Sequence, residues 1–515
     1  GEVKIGEHKW DASSARRVVS YIMQTDALLS CFTVRQTLLY SAQLCIGKLP
    51  AKERLERVEL AIDQMGLRDC VDTRVGDILI AGLSRGQKRR LSIAIELLQR
   101  APVLLLDEPT TGLDSDSAQE VVEMLRGVAN AGHTIIVTIH QPSAGTYGLF
   151  DQVCLLSRGR QVYFGPVGTP VLDHFAAAGK PCPHHVNPAE FFLDVINTDF
   201  SKEYEALVDR LVEVHEPAKK AVGQVVPETR NPRDYTGDQH KVGLIWQFFI
   251  LLTRNMHQNV ANPGIYGIRM VMYVGLSFVI GAMYWKAGSA LDSATTREEA
   301  EELSVTLVPC IFSMQAFQVF MSIAVLPFFM EQRDTFKREQ GNGHIATVPY
   351  VLANYLAGLP AILIIALLSS ACIVGMAELN GPFGYFINLV LVLLVAESWV
   401  HLVGALQPHY IIGMAVASGV FGMFMLFGGY MVPKDDIPIG WKWAYYISTP
   451  TYAFRSGVYN QFNGEQGGIF GPQILKMYDL ENEKPLVSGL VLLGHSLLLE
   501  LGFYTVLKKI HGGRK

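Results

Sequence analysis

From Ile265 onward the chain carries six apolar runs, at residues 265–284, 305–329, 348–377, 385–406, 410–430 and 486–507. Each has roughly the 20 residues that a helix needs to cross the hydrocarbon of a bilayer. No water is available there for backbone N–H and C=O groups, so runs of this kind must close their hydrogen bonds internally, as helices. Pro360 lies inside the third run and predicts a kink or a partly interfacial stretch. The loop after the second run carries Arg333, Lys337 and Arg338, and the C-terminus carries Lys508, Lys509, Arg514 and Lys515. The loop after the first run is acidic, with Glu298, Glu299, Glu301 and Glu302. Positive charge marks the cytoplasmic side, so six spans place both termini in the cytoplasm. Residues 431–485 form a long outer segment whose Trp441, Trp443, Tyr445, Tyr446, Tyr452 and Phe454 suit a headgroup-level or re-entrant element.

The first 200 residues read differently. Residues 103–106 and 135–139 are strand-length apolar runs, and residues 52–65 have the periodicity of an amphipathic helix. Alternation of such segments predicts an α/β domain built on a mostly parallel sheet. Residues 201–240 are polar and contain Pro217, Pro227 and Pro232, which predicts a linker. Residues 241–257 read as an amphipathic connecting helix along the membrane surface, ahead of a membrane domain over 258–515. The chain is 50% hydrophobic and 18% charged with a net charge of −5, which argues against a nucleic-acid partner and against disorder. Seven cysteines without a CxxC pair support neither a disulfide framework nor a zinc site.

The chemistry-bearing motifs lie in the first domain. In VLLLDEPTTGLDS an apolar strand ends in Asp107 and Glu108. The first carboxylate is placed to hold Mg²⁺ through water, and the second to activate a water against a γ-phosphate. In LSRGQKRR, Ser84 and Gly86 open a helix and present a hydroxyl and free N–H groups, an anion site. His140, in TIHQPS, follows the strand of residues 135–139 and could contact a γ-phosphate; Gln24, in YIMQTD, follows another short strand.

Taken in order, MQTD, LSRGQ, LLLDEP, TGLD and HQPS resemble the nucleotide-binding domain of an ABC transporter. The resemblance identifies Gln24 with the Q-loop, Ser84, Gly86 and Gln87 with the signature loop, Asp107 and Glu108 with Walker B, Asp114 with the D-loop and His140 with the switch histidine. A nucleotide domain that precedes the membrane domain is similar to the G subfamily, the half-transporters of the white and breast-cancer-resistance type. QRDTFKRE, FGGYMVP and WAYYISTPTYAF agree with it. The implied fold is an α/β ABC-type nucleotide-binding domain, P-loop NTPase-like but partial, followed by an all-α transmembrane domain of six helices. The implied activity is ATP-driven export or lipid translocation of a hydrophobic substrate, with ATP and Mg²⁺ as cofactors, a second half-transporter as partner and the plasma membrane as location.

Three features depart from the family pattern. The only G-x₄-G near the start, Gly1 to Gly6, is followed by Glu7 and His8 where a P-loop needs Lys and Ser/Thr. GEVKIGE resembles instead the strand that follows Walker A, so the P-loop is expected upstream of Gly1, and the chain without it should not hydrolyse ATP. Arg85 replaces the second glycine of the signature loop, and Tyr430 and Met431 replace paired leucines at the end of the fifth span. Two other readings remain open: a non-hydrolysing regulatory partner of a heterodimer, and the C-terminal half of a full-size transporter.

Further residues carry lower-order expectations. The resemblance puts the substrate path between the second and fifth spans, with Phe320 as its clamp and Phe317, Phe421 and Met425 beside it. It puts coupling at the connecting helix and at residues 332–339, with Arg338 and Glu339 on the coupling surface. Glu397 and His401 stand one turn apart in the fourth span and can pair, while Arg269 reads as a snorkelling cation. Sequencing the transcript upstream of Gly1 is expected to reveal G-x₄-G-K-[ST] about 30 to 40 residues earlier; a start codon with no such motif would remove the active homodimer.

Overall fold

The computed structural model describes residues 4–5, 8–9, 18–77, 80–197, 202–222, 241–293, 296–464 and 470–510. It divides into two compact units, residues 1–242 with 342–344, and 243–341 with 345–515.

In the first unit, β1 (Lys4–Ile5) and β2 (His8–Lys9) pair antiparallel. Three parallel strands follow, β3 (Val19–Ile22), β4 (Val103–Leu106) and β5 (Thr134–Val137), in the order β3-β4-β5. Their register aligns Ile22, Leu106 and Val137, so the three strands end level. Helices α1 (Val34–Cys45), α2 (Ala51–Gln64), α3 (Arg85–Leu97) and α4 (Ser115–Asn130) join the sheet in a core that includes Ile22, Leu38, Ile62, Ile93, Leu104, Leu106 and Leu125. Three of the four start where a side chain satisfies orphan N–H groups, while α2 follows Pro50 without a side-chain cap. Ser84 and Gln87 form a reciprocal capping box on α3, and Asp114 accepts from the Ser117 N–H (3.1 Å) at α4.

A second core in the same unit packs the hairpin β6 (Gln152–Ser157) and β7 (Arg160–Pro166) against α5 (Thr169–Ala177), α6 (Pro188–Ile196) and α7 (Lys202–Val222). Here the structure corrects the expected linker. Residues 202–222 are helical, because Leu207, Val208 and Leu211 recur at helical spacing and are buried in this core. Each such side chain contributes roughly 1.5–3 kcal/mol. Arg158–Glu205 and Arg160–Asp209, both at 2.5 Å, tie the hairpin to α7. Residues 223–240 lie outside the described residues.

The second unit is helical: α8 (Leu244–Ala261), α9 (Arg269–Met283), α10 (Arg297–Met321), α11 (Leu326–Gly341), α12 (Thr347–Ala377), α13 (Pro382–Leu406), α14 (Tyr410–Leu426), α15 (Thr449–Phe462) and α16 (Pro485–Ile510), with shorter turns between them. Among the described residues five helical segments are long and apolar enough to cross a membrane, at 264–291, 301–341, 347–377, 382–406 and 485–510. The apolar helix α14 is shorter, at 17 residues. Its length of about 25 Å, at 1.5 Å per residue, is near the lower bound for a span. Pro360 sits inside α12, which continues through it. α8 carries Gln247, Arg254, Asn255, Gln258 and Asn259 on its buried face, whereas Ile245, Trp246, Phe249 and Val260 are exposed. This inversion of the soluble pattern is what an interfacial helix requires. In the outer segment Trp441 stacks between Phe427 and Trp443, while Tyr445 and Phe454 are buried.

Lipid is as apolar as leucine, so close packing and polar contacts hold helices together there. Gln315 (2.9 Å) and Asn388 (2.7 Å) both donate to the Ala453 carbonyl, and Asn259 donates to Ala357 O (2.9 Å). A Cβ on Gly457 would meet Gln315 and Ile311 at 2.8 Å, so glycine is required for this approach. The buried charges pair otherwise than sequence spacing suggests. Glu397 takes Arg269, and His401 Nδ1 lies 3.0 Å from Glu500, so the helical neighbours Glu397 and His401 are not partners. Arg269 is buried and does not snorkel, because its partner lies across the helix interface. Removing one member of such a buried pair costs about 3–5 kcal/mol. Arg269→Met should therefore lower the thermal midpoint of the solubilised protein, and Arg269→Met with Glu397→Leu should recover most of the loss. An unchanged midpoint in the single variant would contradict this assignment.

Candidate nucleotide site

The level ends of β3, β4 and β5 bring together residues far apart in sequence. Gln24, two residues past β3, donates its amide to Glu108 Oε2 at 2.7 Å, and Thr111 donates to the same oxygen at 3.0 Å. Asp107 receives the Thr138 hydroxyl on Oδ1 (2.9 Å) and the Tyr21 hydroxyl on Oδ2 (2.9 Å). The Glu108 N–H donates to Thr138 Oγ1, also at 2.9 Å. Glu108 has φ +43° and Gln141 φ +46°, left-handed conformations that cost energy in non-glycine residues and cluster at functional sites. Of the sequence-derived candidates, Gln24, Asp107 and Glu108 meet in one hydrogen-bonded group. His140 is exposed and lies two residues beyond Thr138. Ser84 and Gln87 cap α3, with Gly86 buried in its first turn, and Asp114 caps α4.

Arg85 stands at the first position of α3 and leaves the capping box formed, so helix geometry here does not need the second glycine. Hydrogen bonds from Ser117 and from backbone N–H groups at the start of α4 hold the Asp114 carboxyl below its ordinary value. Burial, then the hydrogen bond from Tyr21 to Asp107 and that carboxylate's charge, push the Tyr21 phenol up. The acceptor oxygens of Asp107, Glu108 and Gln24, with the hydroxyls of Thr138 and Tyr21, form a hard donor set that suits Mg²⁺.

Sequence reading missed Tyr21, Thr111, Thr138 and Arg89. Arg89 is buried, and its guanidinium donates to the carbonyls of Met23 (2.5 Å), Gln24 (3.3 Å), Asp107 (2.7 Å) and Pro109 (3.3 Å) and to Asp26 Oδ1 (3.1 Å). It thereby stitches the segment after β3 to the end of β4. A signal for it existed, since Gly86, Arg89, Ile93 and Glu96 share the buried face of α3 and a cation on such a face needs partners. Asn342, which clusters with the first unit, bonds both the N–H (3.0 Å) and the C=O (2.9 Å) of Tyr21 and so satisfies main-chain groups of β3.

The substrate-path and coupling candidates lie in the second unit. Phe320 and Phe421 are in edge contact with ring centroids 6.4 Å apart; Phe317 is exposed, Met425 half-buried and Phe421 buried. Arg338 and Glu339 are both buried, and Glu339 accepts from Arg254 of α8 at 2.5 Å, which links the two segments expected to carry coupling.

Arg89→Met keeps the side chain's bulk but strands the Asp26 carboxylate and four carbonyls. It should destabilise the first unit by about 3 kcal/mol or more, read as earlier cleavage in limited proteolysis across a urea series; wild-type resistance would refute the stitch.

Comparison with known proteins shows the family of the chain. Residues 1–111 match the family ABC transporter, and residues 246–462 and 140–211 match two families described as ABC-2 type transporter. ABC transporter G family member 1 of Petunia hybrida is 31% identical over 95% of this chain and 79% of its own length. Member 11 of Arabidopsis thaliana is 34% identical over 90% and 69%, and member 5 of the same plant 31% identical over 94% and 78%. An ATPase-type nucleotide-binding domain thus precedes an integral, multi-pass membrane domain, and the chain belongs to the G family of ABC transporters, as a half-transporter.

Proposed function

We propose that this chain is one half of a dimeric ATP-driven transporter that exports or translocates a hydrophobic molecule of the sterol, lipid or xenobiotic class. The observation that carries the nucleotide chemistry is the Gln24–Glu108–Asp107–Thr138 group at the level ends of three parallel strands. Asp107 and the Gln24 amide would hold Mg²⁺ through water, and the ion when bound would neutralise charge on the transferred phosphate. Glu108 orients the attacking water and accepts its proton, with its carboxylate kept in place by Gln24 and Thr111. His140 contacts the γ-phosphate from the loop beyond β5. Ser84, Gly86 and Gln87 offer the α3 N-terminus to the nucleotide held by the partner, and Asp114 lies at the same interface. ATP then binds the closed dimer better than the open one and biases the membrane helices, and hydrolysis releases the bias.

For the membrane domain the proposal is six spans, α14 being the short fifth, with cytoplasmic termini and a plasma-membrane location. The substrate path runs past Phe317 and Phe320, and Phe421 backs Phe320 from the buried side. Aromatic edges there favour flat, apolar molecules.

In the full-length protein Glu108→Gln should lower ATP hydrolysis at least about 100-fold with ATP affinity changed less than about threefold, because the amide keeps the shape but cannot take the proton. Hydrolysis at the wild-type rate would exclude Glu108 as the base.

A further inference from the structure

The Thr138 side chain touches both members of the acidic pair. Its hydroxyl oxygen accepts the Glu108 N–H at 2.9 Å, and its proton goes to Asp107 Oδ1 at 2.9 Å. The Glu108 main chain needs such a hold. At φ +43° its backbone is left-handed, and a conformation of this kind persists only where its surroundings over-determine it. The preceding N–H, of Asp107, is already bonded to Ile22 O (3.0 Å), and the Thr138 N–H to Leu106 O (3.0 Å). These two bonds carry the sheet ladder one residue beyond β4 and β5. Past that point the Glu108 N–H goes to the Thr138 side chain, which takes over from the backbone.

We infer that Thr138 is a positioning residue for ATP hydrolysis: one hydroxyl locks the left-handed turn that aims the Glu108 carboxylate and, at the same time, fixes the rotamer of the Asp107 carboxylate. Valine has the same shape and can do neither. Serine retains the hydroxyl and can do both. Because Thr138 lies on the segment that leads to His140, displacement of that segment would also be felt at both carboxylates through a single oxygen. The inference rests on the hydrolytic reading above, but its structural half is measurable without nucleotide.

Two measurements on the full-length protein test it. In hydrogen–deuterium exchange at residue resolution, without nucleotide, Thr138→Val should speed exchange of the Glu108 amide by about tenfold and leave the Asp107 amide, held by Ile22, unchanged. Thr138→Ser should restore protection. In ATPase assays Thr138→Val should lower kcat by at least about tenfold with KM for ATP within twofold, and Thr138→Ser should recover most of the rate; a displacement of about 1 Å at a reacting group is enough for such a loss. Equal exchange at Glu108 in wild type and Thr138→Val overturns the inference. So does faster exchange accompanied by an unchanged kcat. A wild type that turns over no ATP counts against the hydrolytic role itself, and the exchange arm then decides Thr138 alone.

Discussion

A polar group removed from water must find its partner within the protein, and both units are organised by where those partners lie. In the second unit this requirement first imposes helices, since hydrocarbon satisfies no backbone group. It then selects which helix faces meet. Arg269 meets Glu397, Arg254 meets Glu339, and Arg333 donates to the carbonyls of Gly404 (2.7 Å) and Gln407 (2.5 Å). Each contact joins helices distant in sequence, and breaking any of them strands a charge where restoring hydration is expensive. In the first unit Arg89 plays the corresponding part, with one guanidinium saturating carbonyls from two strand-end loops.

The acidic site depends on the same rule at a place where regular pairing runs out. The backbone ladder reaches one residue past β4, to the Asp107 N–H, and Glu108 lies just beyond it. Hydroxyls from the flanking strands, Tyr21 on one side and Thr138 on the other, continue the pairing through side chains. The left-handed turn at Glu108 stores strain that an ordinary strand end would release, and that strain directs its carboxylate to Gln24.

Much of this was legible before any coordinates. The α/β character of residues 18–197 and the apolar helices after residue 264 follow from periodicity, and Ser84, Asp107 and Glu108 from local chemistry, whereas Gln24 and Asp114 rest on the resemblance of the ordered motifs to the family. Capping at Ser84 and Asp114 is local to one helical turn, so spacing announces it. The pairing of Glu397 was misread because i, i+4 spacing gives only possible neighbours on one helix, whereas burial lets an arginine on another helix win. Helix α7 reads as linker in sequence because Pro217 and the polar, proline-containing stretch after it outweigh a leucine–valine stripe whose partners lie some 40 residues upstream.

The ordered motifs and their family resemblance supplied the nucleotide chemistry, whereas composition and periodicity alone determined that an α/β unit precedes membrane helices. Both signals are set by near neighbours and by the solvent each residue must face. Only the tertiary structure decided that Tyr21, Arg89 and Thr138 join the acidic group, that Glu339 answers to Arg254, and that His401 answers to Glu500. Those facts depend on strand register and helix-face contact between segments up to about a hundred residues apart, and no local preference encodes them.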